Sequence, residues 1–161
     1  MEAIKIFDEH FKKMNSYYAL GCKVIKYMFT FASIGLMLIF PATGENWISN
    51  IYALFCFCYA IVSHTQPYLY TKQNKSTVAV YKLMRDAPID RKAFIASRLR
   101  YLYAFASKFT FACVAVRIFC IFAFEDAVSF ERIIISLAGI ALCLCVAVGI
   151  AVLEIYHSSR Y

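Results

Sequence analysis

Charge is confined to a few segments of this 161-residue chain, and long apolar runs fill the space between them. Residues 27–44, 46–71 and 133–153 contain no Asp, Glu, Lys or Arg, and residues 101–124 hold only Lys108 and Arg117. A helix rises about 1.5 Å per residue, so roughly 20 residues cross a hydrocarbon core of about 30 Å. Four such segments fit the chain, at 25–42, 47–70, 101–124 and 132–154. The pattern predicts an all-α polytopic membrane protein with a single membrane domain over 1–161. Its four transmembrane helices form two hairpins joined by the longer loop 71–100.

Ahead of the first span, Ile4, Phe7, Phe11, Met14 and Tyr18 recur at intervals of 3, 4, 3 and 4. That is the period of one helical face, and Lys5, Asp8, Glu9, Lys12 and Lys13 fall mostly elsewhere. An amphipathic helix over 1–22 is expected. It suits the membrane interface, apolar side down, and the alternative seat is on the central loop. Acids among its bases and the lack of an early apolar core argue against a cleavable signal peptide, so this segment is expected to stay in the mature chain.

The central loop breaks the apolar pattern most sharply. Residues 84–98, MRDAPIDRKAFIASR, hold four basic residues, two acids and a proline. Ser76 suits the cap of a first helical piece in which Val80, Leu83, Met84 and Ala87 share a side. Pro88 ends that piece, because the residue before a proline is pushed out of the helical region. Asp90 suits the cap of a second piece, with Arg91, Lys92, Ala93 and Phe94 as its first turn, running on towards the third span. This helix–break–helix elbow has two readings. One is a topology signal in contact with lipid headgroups. The other is a docking surface for a cytoplasmic partner, with Leu83, Met84, Ile89 and Phe94 as apolar contacts among charges.

Composition agrees with the membrane reading. Hydrophobic residues make up 62% of the chain and charged residues 17%, where a soluble domain carries roughly a quarter charged. The formal charge of +7 is unevenly placed, with five Lys in residues 1–26 and eight Lys or Arg in 71–100. The stretch near 41–47 has none, and that near 125–132 has only Arg132. Positive residues near short loops stay in the cytoplasm, so both termini and the central loop are expected there. Trp47 stands where an interfacial anchor belongs, and Pro67 to Tyr70 form an aromatic belt at the other surface. Nucleic-acid binding is a poor reading, because the bases flank apolar spans and no binding module is recognisable.

Little in the chain suggests catalysis or a cofactor. The seven cysteines sit nearly all within the spans. The pairs Cys56/Cys58 and Cys143/Cys145 are two apart, so on a helix each pair points to nearly opposite sides and cannot chelate as a unit. His10, His64 and His157 are far apart in sequence, and no G-x-x-x-x-G-K-[ST] phosphate loop is present. His64 suits an interfacial hydrogen-bonding position or a proton relay. Arg117 lies eight residues before Glu125, about 12 Å along a helix, and either snorkels or pairs towards that end or faces a substrate. Ala141, Cys145 and Gly149, four apart, form a stripe that lets another helix approach, within this chain or from another subunit.

Residues 74–103, NKSTVAVYKLMRDAPIDRKAFIASRLRYLY, resemble the first cytoplasmic loop of bacterial ABC-2-type transporter permeases. Those loops often read Leu-Pro-Ile/Val-Ser-Arg-Lys, then an apolar residue and a base opening the next span. Pro88-Ile89, Arg91-Lys92, Phe94-Ile95 and Arg98 follow that order, and the N-terminal helix resembles the family's elbow helix. Ala87 and Asp90 stand where the family usually has leucine and serine, and such permeases usually have six spans. The resemblance implies a shortened permease subunit in the bacterial inner membrane, paired with itself or with a longer permease, and not itself an enzyme. Its loop would dock a separate ATP-binding subunit through Leu83, Met84, Pro88, Ile89, Arg91, Lys92 and Phe94. A stand-alone interaction protein, such as a bacteriocin immunity or entry-exclusion factor, shares the size, the spans and the basic loops. A proton-coupled four-span exporter does not fit, for lack of a carboxylate in the first span.

Overall fold

The computed structural model describes residues 2–39, 46–73, 76–84, 89–124 and 130–160. Pro41, Pro88 and Glu125, and with them the expected turn after the first span and the expected break in the loop, lie outside these residues. The chain is mostly helical: α1 (Glu2–Met14), α2 (Ser16–Ile39), α3 (Asn46–Leu69), α4 (Val80–Leu83), α5 (Arg91–Phe124) and α6 (Phe130–Ser158). One antiparallel hairpin, β1 (Tyr70–Gln73) and β2 (Ser76–Ala79), sits between α3 and α4.

The long helices α2, α3, α5 and α6 form a bundle in which α3 touches the other three. Its core is built from Phe57, Ala60 and Ile61 of α3, Leu102, Phe109 and Cys113 of α5, and Ile140, Leu144, Ala147, Ala151 and Ile155 of α6. Phe57 meets Phe109 edge-on at 5.3 Å between ring centroids, and His64 stacks on Phe105 at 4.3 Å. Large apolar side chains also point away from the core, among them Phe31, Phe111, Leu142 and Leu153. An apolar outer surface of this extent needs an apolar solvent.

Three helices are long and apolar enough to cross a membrane among the described residues: Ser16–Leu36, Arg91–Cys120 and Leu137–Ser158. The first begins well before the expected 25–42, because Lys23 and Lys26 are carried inside α2. Lys26 folds its ammonium to 4.6 Å from the Tyr27 ring centroid and 5.5 Å from that of Phe105. The α3 helix has 24 residues and no Asp, Glu, Lys or Arg, with Ser63, His64, Thr65 and Gln66 near its end.

The N-terminal helix is shorter than the expected 1–22. Asn15 stops α1 and opens α2, its carbonyl accepting the Ala19 N–H at 3.0 Å. Its side-chain amide donates to the Thr71 hydroxyl of β1, tying the helix junction to the hairpin. In the structure α1 packs on the central loop, with Phe7 against the Val80, Met84 and Phe94 cluster and Asp8 paired with Arg98.

The loop is only partly the expected elbow. Ser76 caps no helix. It pairs with Gln73 in the hairpin, and its hydroxyl donates to the Gln73 carbonyl at 2.7 Å. Thr71, Thr77 and Val78 are β-branched and stiff at χ1, which suits a pleated ribbon better than a helix. Helix starts only at Val80, after an extended Ala79, and lasts one turn. The second half agrees with expectation. Asp90 opens α5, its carbonyl accepting the Phe94 N–H at 3.0 Å, and the helix continues unbroken for 34 residues.

Candidate functional site

At the hairpin end of the bundle, four pieces remote in sequence converge: α1, the β1–β2 hairpin with α4, the first turns of α5, and the end of α6. Val80, Met84 and Phe94 form a small buried cluster of their own, flanked by Phe7, Tyr81 and Ile89. Tyr81 tilts over Phe94 with ring centroids 5.1 Å apart. Next to this cluster lies the most deeply buried charge of the described residues. The Arg98 side chain is 1% exposed, and its two terminal nitrogens donate to the two carboxylate oxygens of Asp8, each at 2.6 Å.

This bidentate pair is a charge-assisted fork, the geometry in which Arg and carboxylate bind most strongly. The guanidinium also lies 4.5 Å from the Phe94 ring centroid and 5.7 Å from that of Tyr68. Tyr68 in turn stacks on Tyr101 at 4.8 Å. The Nε of Arg98 is buried without a hydrogen-bond partner. A pair taken this far out of water gains little net free energy, yet losing one member strands the other. The pair therefore fixes α1 in register on α5.

The residues expected to dock a partner divide into two groups. Arg91 and Lys92 are exposed, with Arg91 Nε 3.4 Å from the Ser159 hydroxyl at the end of α6. Leu83 and Ile89 are half-buried, and Ile89 packs against the cluster. Met84 and Phe94 are fully buried, their apolar surface already taken up by α1 and Tyr81, so in this arrangement they are core and not contact surface. Pro88 lies outside the described residues.

A second polar chain ties three helices together at the same end. The Tyr18 hydroxyl of α2 donates to Gln66 Oε1 at 3.0 Å, and Gln66 Nε2 of α3 donates to Glu154 Oε1 of α6 at 2.6 Å. Beside it is an open groove of about 400 Å³ lined by Asn15, Tyr18, Cys22 and Lys72.

The other candidates sit elsewhere. Arg117 is half-buried on α5, close enough to Cys120 to interact electrostatically. Ala141, Cys145 and Gly149 are exposed on α6, and Gly149 faces open space. The close approach of α6 to α3 uses Ala147 and Ala151 instead, both fully buried with Ala60. All seven cysteines are free, and among the described residues no three His, Cys, Asp or Glu side chains gather as a metal site.

Neither Asp8–Arg98 nor Gln66–Glu154 was anticipated from the sequence. The available signal was Asp8 lying beside the apolar face of an amphipathic helix, and Glu154 ending an otherwise uncharged run. Comparison with protein-family models, with curated proteins and with solved structures finds no match to this chain.

Proposed function

We propose that this chain is the membrane-spanning permease subunit of an ATP-driven, ABC-2-type exporter in a bacterial inner membrane. In this reading a separate ATP-hydrolysing subunit moves it through the 80–95 segment. The observation that carries the reading is mechanical. Exposed Arg91 and Lys92 form the first turn of an uninterrupted 34-residue helix, and that turn is locked to α1 and the hairpin by Arg98 and the Phe94 cluster. A push on this corner is transmitted to the bundle without a flexible joint. The motif resemblance of residues 74–103 supports the same reading.

Four spans complete it. The α3 helix has 24 residues, about 36 Å of rise, and no charged side chain. Its polar residues sit in the helix that the other three surround. With four crossings, the basic N-terminal segment, the central loop and the C-terminus share the cytoplasmic side. Two copies, or one copy with a longer permease, would enclose a path.

A second reading is favoured by one observation. Met84 and Phe94 are spent inside the chain's own fold, which suits a stand-alone membrane interaction protein that needs no motor. Purification of the tagged chain from its native membrane in mild detergent separates the two. The permease reading expects a stoichiometric ATP-hydrolysing protein that is lost on Arg91→Glu with Lys92→Glu. Recovery of the chain without such a protein in several detergents sinks it.

A further inference from the structure

We propose that the surface beneath α1, formed by Val80, Met84, Phe94 and the Arg98 guanidinium, is an exchangeable docking site. The chain's own N-terminal helix closes it here, and it is fitted for a partner segment bearing a carboxylate flanked by apolar side chains.

Among the described side chains of α1, Ile4, Phe7 and Asp8 are the ones turned inward, while Lys5, Ile6, Glu9, His10 and Lys13 are exposed, and the helix joins the bundle through the single turn residue Asn15. What it covers is demanding. The Arg98 guanidinium is 1% exposed and has one buried nitrogen still without an acceptor. A vacated seat would leave that charge stranded among Phe94, Tyr68 and Met84. Exchanging one carboxylate for another, by contrast, returns nearly the same free energy, because a buried ion pair contributes little beyond its own desolvation. Only a segment that supplies its own anion can therefore displace α1 at low cost.

Shape narrows the partner further. Ile4, Phe7 and Asp8 lie at i, i+3 and i+4, so the complementary ligand is an amphipathic helix with an acid immediately after its apolar pair. The site also contains Met84 and Phe94 of the segment read above as the coupling loop. Use of the exchange in the cell rests on that reading, whereas the exchange itself does not. In that setting α1 holds the loop closed until an acidic helix of the partner replaces it.

The test uses the full chain in detergent and a fluorescent peptide with the sequence of residues 2–15. Asp8→Lys places two cations together and should release α1. The peptide is expected to bind this variant at least about tenfold more tightly than wild type. Binding should vanish when the peptide carries Asp8→Asn, and again when the chain carries Asp8→Lys with Arg98→Asp, which recloses the swapped pair. Should Asp8→Lys not fold, hydrogen exchange on the wild-type chain decides: excess peptide should accelerate exchange in residues 2–14, and an unchanged profile overturns the proposal. Equal binding to wild type and Asp8→Lys overturns it too, as does binding indifferent to the peptide's carboxylate. Release of α1 by anionic phosphatidylglycerol vesicles but not by the peptide would assign the seat to lipid and overturn the protein-partner proposal. None of these outcomes depends on whether an ATPase co-purifies.

Discussion

Asp8 and Arg98 stand 90 positions apart in the chain and meet through both carboxylate oxygens and both terminal guanidinium nitrogens, each contact 2.6 Å. Removing either partner alone, as Asp8→Ala or Arg98→Ala, is expected to cost about 3–5 kcal/mol, because the survivor stays buried without a counter-charge. Replacing both, as Asp8→Leu with Arg98→Met, should recover most of that loss. Thermal unfolding in detergent across the double-mutant cycle checks this. Simple additivity of the two single losses would contradict a coupled pair.

Gln66 is the middle of the chain that joins α2, α3 and α6. Gln66→Leu keeps the bulk but leaves the Glu154 carboxylate and the Tyr18 hydroxyl without these partners, so a loss of about 1–3 kcal/mol is expected. Tyr18→Phe removes only the outer link and should cost about 0.5–1.5 kcal/mol. The same unfolding assay ranks the two variants, and a larger loss for Tyr18→Phe would contradict the geometry.

Small residues on α6 face opposite fates. Ala147→Leu and Ala151→Leu force side chains into a filled contact and should each cost about 1–3 kcal/mol. Gly149→Ala meets open space and relieves a helix-interior glycine, so the monomer should gain up to about 1 kcal/mol. A stability series, read together with the mass of the detergent-solubilised particle, checks both. A loss of dimer on Gly149→Ala would give the outward stripe a role in self-association.

The membrane crossing of α3 follows from parity. With α2, α3, α5 and α6 all spanning, reporters fused at the N- and C-termini share one side. With only α2, α5 and α6 spanning, they fall on opposite sides. The same side, the cytoplasm, is the expected result.

The sequence was legible where a single period dominates. Apolar runs of bilayer length located α2, α3, α5 and α6, and Asp90 marked the start of α5 because a cap and a first turn are local features. Helix starts were less legible, since Lys23 and Lys26 looked like a boundary until one of them folded onto aromatic rings. The hairpin is not visible while Ser76 is taken as a helix cap; its signal is the β-branching of Thr71, Thr77 and Val78. The small residues 147 and 151 on α6, which pack in the core, were not singled out, because no local signal distinguishes them from 141, 145 and 149. The Asp8–Arg98 clasp was beyond reach for a different reason. Its partners are brought together by the fold, and each taken alone looks like an ordinary charge on an amphipathic helix.

The docking role of the 80–95 corner is tested most directly by photo-crosslinking in the native membrane. A photoreactive residue is placed at Leu83 or Lys92, and at the exposed Phe111 in the apolar part of α5 as control. The expected result is an adduct between positions 83 or 92 and an ATP-binding protein, absent from position 111. Adducts to lipid alone at 83 and 92, or the same protein adduct from all three positions, would contradict a motor docked on this corner.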